Sequence, residues 1–260
     1  MGFLKFEFER GALMYHSVTI GSMNTFDNWH LVPDGRPVIS MPDLVTNYID
    51  IPDMSGSLDL SESLTGYPLY KNREGELNFH VLNGPNYVSW NVLYQAIATY
   101  LHGRKLNVKL EDDPNWYYTG RLSLKEWVSN NDGTGSEVHI GYNLEPYKYY
   151  FKNSLEEAPS LYSGITVSGN TVTKNLGGSA SLGIMPVVPE FVVSNVSGSG
   201  VTISLTNSEL GITNLAKTIT ANGTRKFYDM VLSDLSGSNT CKLVFSGNGT
   251  VSVRFRKGSL

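Results

Sequence analysis

An abrupt change of composition near Ala158 constrains this chain more than any single motif. All four tryptophans (Trp29, Trp90, Trp116, Trp127) and all five histidines precede it, whereas Gly, Ser, Thr and Asn dominate the remainder of the chain. Stretches so unlike do not share one core, so the 260 residues are expected to form two modest domains, 1–152 and 153–260. Charge divides the same way. Residues 1–152 hold 12 Lys/Arg against 18 Asp/Glu, and 153–260 hold 8 against 6. The net charge of −4 gives no reason to expect nucleic acid or an anionic membrane as partner.

The first domain reads as antiparallel β structure with one helix across it. Phe3–Phe8 alternates apolar and polar residues, and Ser17–Ile20 is a second short strand. Trp90, Leu93, Tyr94, Ile97, Tyr100 and Leu101 fall on one face of a helix. Ser89 is its expected N-cap, and Gly103 stands where a left-handed residue ends it. Leu106–Leu110 and Trp116–Val128 then alternate in period two. Asn130–Gly133 is read as a hairpin turn, and Val138, Ile140, Tyr142 and Leu144 complete a meander. Glu145–Phe151 is an exit strand or linker.

Between these strands lies a long polar excursion, Asn47–Leu82. Tyr48, Ile49 and Ile51 form a short strand, broken by Pro52-Asp53 and Ser55-Gly56-Ser57. Leu58, Leu60 and Leu64 come next among Asp59, Ser61, Glu62 and Ser63, a half-polar segment unable to bury itself. Leu77, Phe79 and Val81 then alternate in a strand with one wet face. Excursions of more than about 15 residues within a compact domain are usually functional or disordered. Apolar anchors at intervals suit an arm that folds against a neighbour.

After Ala158, β-branched runs recur between glycine turns: 165–167, 171–173, 191–196, 201–205, 215–220, 227–232, 241–245 and 251–255. Such spacing predicts a β-sandwich. The overall expectation is therefore mainly β: an N-terminal antiparallel β-sandwich or split barrel with one packed helix and a long arm, then a C-terminal β-sandwich.

Chemistry-bearing residues are sparse. Asp50, Asp53, Asp59 and Glu62 lack the alternation of a calcium loop and read as a solvated acidic arm. Glu111, Asp112 and Asp113 are adjacent, whereas acid/base pairs for glycoside hydrolysis face each other across a cleft; they are read as a hairpin tip. His16, His30, His80, His102 and His139 show no spacing for a metal, so surface or pairing roles are expected, with His102 in the last helical turn. Cys241 is the only cysteine and is read as a small buried hydrophobe. Asn195, Asn222 and Asn248 match the glycosylation pattern, but Asn-Gly also suits hairpins, and Gly198-Ser199-Gly200 is read as another. A sugar platform would rest on Tyr162 and Tyr228 alone, the only phenols after Ala158. Neither enzymatic activity, a cofactor nor a metal is expected. The charged first ten residues are unlike a signal peptide, and no apolar run approaches a span of about 18 residues.

An ordered set of segments carries a resemblance. It comprises Asn24–Leu31, Arg36-Pro37, Asn47–Pro52, Gly56–Leu60, Leu64–Gly66, Asn72–Gly75, Tyr100–Gly103, Leu110–Pro114 and Tyr118–Arg121. In this order they resemble the N-terminal domain of the distal tail proteins of long-tailed phages and prophages of Gram-positive bacteria. The ending 246–260 resembles, more loosely, the close of the galectin-like, carbohydrate-binding-module-like second domain that many of these proteins carry. The resemblance implies a virion tail-tip (baseplate) protein, made in the bacterial host's cytoplasm and assembled as a homohexameric ring. One face of the ring would stack on the tail tube protein, and the other would hold a tail-tip or tail-associated fibre or lysin protein. With periodicity, it assigns the ring interface to Tyr48, Ile51, Leu58, Leu60 and Leu64, with Arg73 and Glu74 as nearby charges. The alternative is a host-surface carbohydrate-binding module of an adsorption device. A cell-wall hydrolase has no residue constellation behind it.

Overall fold

A computed structural model describes residues 16–82, 90–129, 136–151, 160–176, 185–234 and 241–260. The expected strand at Phe3–Phe8, the Ser89 cap and the turn at Asn130–Gly133 lie outside these residues. The fold is mainly β, with curled, half-barrel sheets.

Two compact units are present. The first joins the chain up to Pro42 with Asn72–Pro146, and the second joins Asp43–Lys71 with Tyr147–Leu260. The excursion up to Lys71 therefore belongs with the C-terminal part of the chain, and the rest of it with the first unit.

In the first unit, β1 (Val18–Ile20) and β2 (Met23–Asn24) lead into a five-residue helix, α1 (Thr25–Trp29), then β3 (Leu31–Pro33). No helix was expected there. Asn24 caps it, its side-chain oxygen accepting from the N–H of Phe26 and Asp27 at 2.9 and 3.1 Å. His30 ends it in the left-handed region at φ 53°. The chain then leaves for the second unit, where β4 (Tyr48–Asp50) and β5 (Ser57–Asp59) lie, and returns to the first as β6 (Arg73–Val81).

The predicted helix is α2 (Trp90–Leu101), with Ile97 and Leu101 wholly buried. Gly103 comes after it at φ +74°, its N–H bonded to the Leu122 carbonyl at 2.8 Å, which ends the helix as expected. β7 (Lys105–Leu110), β8 (Trp116–Ser129) and β9 (Ser136–Leu144) complete the sheet, in order β2-β1-β7-β8-β9-β6-β3 with antiparallel pairs. Ile20, Leu31, Phe79, Val108, Ile140 and Leu144 fill its core, and Trp29 meets Tyr100 edge-on at 5.5 Å.

The second unit begins with β10 (Lys148–Tyr150), β11 (Ser160–Ser168), β12 (Val172–Asn175), β13 (Glu190–Ser194) and β14 (Val201–Asn207). It ends with β15 (Ile212–Ile219), β16 (Gly223–Lys226), β17 (Cys241–Arg254) and β18 (Gly258–Ser259). Five expectations need correction. Phe227–Leu232 is a turn with one isolated bridge, because Met230 and Leu232 point inward from irregular backbone; the strand lies just before it. The runs at 241–245 and 251–255 are one strand. Its first half pairs β14 and β12, and its second half pairs β13 and β11. Gly247 at φ +98° allows the passage between them, since a Cβ there would stand 2.1 Å from the Gly200 carbonyl oxygen. Asn248-Gly249 is therefore inside a strand. Ser197–Gly200 and the segment after Ile219 turn the chain between strands that do not pair with each other, so neither is a hairpin.

Candidate assembly surface: the arm and its root

The arm is a small antiparallel structure of its own. Tyr48 pairs with Asp59, Ile49 with Leu58 and Asp50 with Ser57. Asp53 and Gly56, at φ 64° and 86°, turn the chain between the strands. Serines hold the ends. Ser57 Oγ donates to Asp50 Oδ1 at 2.5 Å, and Ser61 Oγ accepts the Asn47 N–H at 2.8 Å. The hydroxyl and N–H of Ser61 hold the Asp59 carboxyl below its usual range. Further down, Val45 N–H bonds Leu69 O and Lys71 N–H bonds Asp43 O, both at 2.8 Å.

The excursion, read as a half-polar segment unable to bury itself, is thus a laddered hairpin on a zipped base. Gly66 lies beside Leu210, and Tyr70 meets Tyr147 edge-on at 5.8 Å. Burial, then Tyr70 and Tyr67, push the Tyr147 phenol up to about 12.

Yet the hairpin leaves its apolar side chains open. Tyr48 is 58% exposed, Leu58 42% and Leu64 99%; Ile51 is exposed and Leu60 half-buried. Among the described residues no second layer covers the ladder, and every residue of its two strands is exposed. A two-stranded ribbon is marginal by itself in water.

Arg73 stands elsewhere. It is 1% exposed, inside the first unit, while Glu74 is on the surface. The alternation of β6 explains this: Arg73 shares the inward phase of Leu77, Phe79 and Val81. Its Nη1 donates to Ser40 O at 2.6 Å and its Nε to Pro146 O at 2.7 Å, with the guanidinium 5.3 Å from the Tyr118 ring centre. Ser40 is also fixed by Tyr142 Oη, which accepts its N–H at 3.0 Å. Carrying the alternation of Leu77 back through Gly75 would have placed Arg73 inside.

The acidic tip after β7 is not an acid/base pair. Glu111 accepts from the N–H and hydroxyl of Ser17, and Asp112 is bonded to His16 Nδ1 at 2.7 Å and Arg36 Nε at 2.5 Å. Tyr228 is 81% exposed on the turn after β16, whereas the side chain of Tyr162 lies outside the described residues. Two clefts, about 510 Å³ beside Arg121 and Lys125 and about 240 Å³ beside Asp34–Val38, are open grooves on the first sheet. Cys241 is buried, and burial pushes its thiol up to about 11. Among the described residues, no helix is long and apolar enough to cross a membrane.

Two curled β units, one carrying an open apolar hairpin, define a mainly β chain. Its fold is similar to that of the SPP1 Dit protein, described with its crystal structure as a paradigm of the hub adsorption apparatus in Gram-positive-infecting phages. The TM-score is 0.58 at 13% identity, covering 94% of this chain and 99% of that one, so the likeness is one of fold. No protein-family model and no curated protein matches the sequence.

Proposed function

We propose that this chain is a structural protein of a phage tail tip, a baseplate hub that forms a hexameric ring between the tail tube protein and a tail-tip fibre or lysin protein. It does its work in the virion by assembly with copies of itself and with proteins, without catalysis. The observation that carries this reading is the arm, whose apolar side chains lie open in a single copy. The likeness in fold to SPP1 Dit supports it.

Full burial of a leucine stabilises by roughly 1.5–3 kcal/mol. Leu64 has nearly all of that still to gain, and Leu58 somewhat under half, by exposure. In a closed ring the same contact repeats at every interface, so modest gains accumulate. Tyr48, Ile51 and Leu60 extend the same patch, whereas Arg73 acts at the root of the arm.

The test is particle mass and symmetry, by light scattering and electron microscopy, for the wild type and for Leu58→Ser with Leu64→Ser. Six-fold rings in the wild type and monomers with unchanged circular dichroism in the variant are expected. A variant that keeps its rings but melts at a lower temperature would assign these leucines to the chain's own structure.

A further inference from the structure

The arm carries charge as well as open apolar surface. Residues 43–70 hold five carboxylates, Asp43, Asp50, Asp53, Asp59 and Glu62, and no Lys or Arg. All five are exposed, and among the described residues none of them forms an ion pair. The ladder sorts them by face. Directly paired side chains stand on the same side of a ribbon. Tyr48, Asp50, Ser57 and Asp59 therefore share one face of the hairpin, and Ile49 and Leu58 share the other.

The same unit gathers the opposite charge around β10. This strand pairs with β18, Lys148 opposite Ser259 and Tyr149 opposite Gly258, and the Tyr150 N–H bonds the Lys257 carbonyl at 2.9 Å. The pairing brings Lys148 alongside the chain end that carries Arg254, Arg256 and Lys257. Two of these cations lie on tyrosine rings. The Arg256 guanidinium is 4.8 Å from the ring centre of Tyr149, and Lys257 Nζ is 5.3 Å from that of Tyr150. Arg254 and Arg256 are exposed, and among the described residues neither forms an ion pair. Glu190, opposite Arg254 in the register, is engaged by Lys226 Nζ at 2.8 Å.

We propose that this basic corner receives the arm of a second copy of the chain, with Asp50 and Asp59 facing Arg254 and Arg256. The inference rests on the ring reading above and names the surface on which the arm docks. Charge complementarity selects the occupant, because an arm rich in carboxylates and a corner rich in cations are parts of one sequence. The arm's own copy does not cover it, since every residue of β4 and β5 is exposed. Arginine stems bury along apolar surface while their heads stay charged, so they can pack beside Tyr48 and pair with its carboxylate neighbours together. Arm and corner are different surfaces, so the contact runs head to tail, the kind that closes into a ring when its rotation allows. Exposed charge pairs of this sort steer association and weaken with salt.

Analytical ultracentrifugation of the full-length protein tests this. Raising sodium chloride from about 50 mM to about 500 mM should lower the association constant of the wild type more than tenfold. Arg254→Glu with Arg256→Glu, and Asp50→Lys with Asp59→Lys, should each give monomers with unchanged circular dichroism. All four changes in one chain should restore assembly. Should a reversal unfold the chain, the neutral pairs Arg254→Gln with Arg256→Gln and Asp50→Asn with Asp59→Asn take its place. The asparagines keep an oxygen for Ser57 and Ser61 to bond. Each neutral pair should weaken assembly about tenfold. Rings that persist through folded reversals overturn this docking and leave the ring reading standing, whereas a wild type monomeric at every salt concentration overturns both. A reversed corner that keeps its rings but loses binding to polyphosphate would assign the corner to an anionic polymer and also overturn the proposal.

Discussion

Arg73, two residues after the arm, donates from Nη1 to the carbonyl oxygen of Ser40, three residues before the arm begins, at 2.6 Å. Its Nε reaches Pro146, the last residue before the chain enters the second unit for good. One buried guanidinium therefore ties together the three segments at which the chain passes from one unit to the other. Burial lowers its pKa, and its Nη2 has no hydrogen-bond partner.

Arg73→Ala should consequently be costly. Hydrogen bonds from a charged donor contribute roughly 1.5–3 kcal/mol each, offset by the cost of burying the charge, so a loss of about 2–4 kcal/mol is expected. Urea denaturation should show the midpoint lowered. Arg73→Lys should not restore it, because one ammonium cannot serve two carbonyls in the guanidinium's fixed geometry.

The clasp at Asp112 predicts an acid sensitivity. Partial burial pushes its carboxyl up, but hydrogen bonds from Arg36 and His16 outweigh this and leave it below the usual range. A depressed folded-state value contributes stability that is present above the unfolded value, near 3.9, and is lost as pH falls through the folded one. Melting temperature measured against pH should therefore show the wild type above Asp112→Asn at pH 6. The two curves should converge below about pH 4.

Residues 1–152 should fold alone. The core of the first unit, from Val18 to Leu144, takes no buried residue from 43–71. Differential scanning calorimetry of that fragment should give one cooperative transition, with the arm more open to protease than in the full chain. An aggregating fragment without a transition would refute the boundary.

Sugar binding by the second unit should be weak or absent. Tyr228 is an exposed ring beside the Lys226–Glu190 and Lys217–Asp229 ion pairs, and sugars stack on flat apolar platforms. Calorimetric titration with cell-wall polysaccharide should give no saturable heat. Micromolar binding lost in Tyr228→Ala would instead favour a host-surface role.

Local pattern alone determined much of this protein. The period-two runs at 105–110, 136–144 and 201–207, the single apolar face of Trp90–Leu101 and the left-handed Gly103 arise from neighbours along the chain. So does the inward phase of Arg73, although only the sheet reveals what it holds. Asn24 and the five residues after it carried a cap signal that the strand-rich surroundings masked. Partnership is another matter. Alternation fixes which side chains share a face but not which strand lies alongside. Hence the pairing of 48–50 with 57–59, the single strand through Gly247 that pairs with four others, and the place of His80 opposite Glu137 were decided only by the tertiary structure.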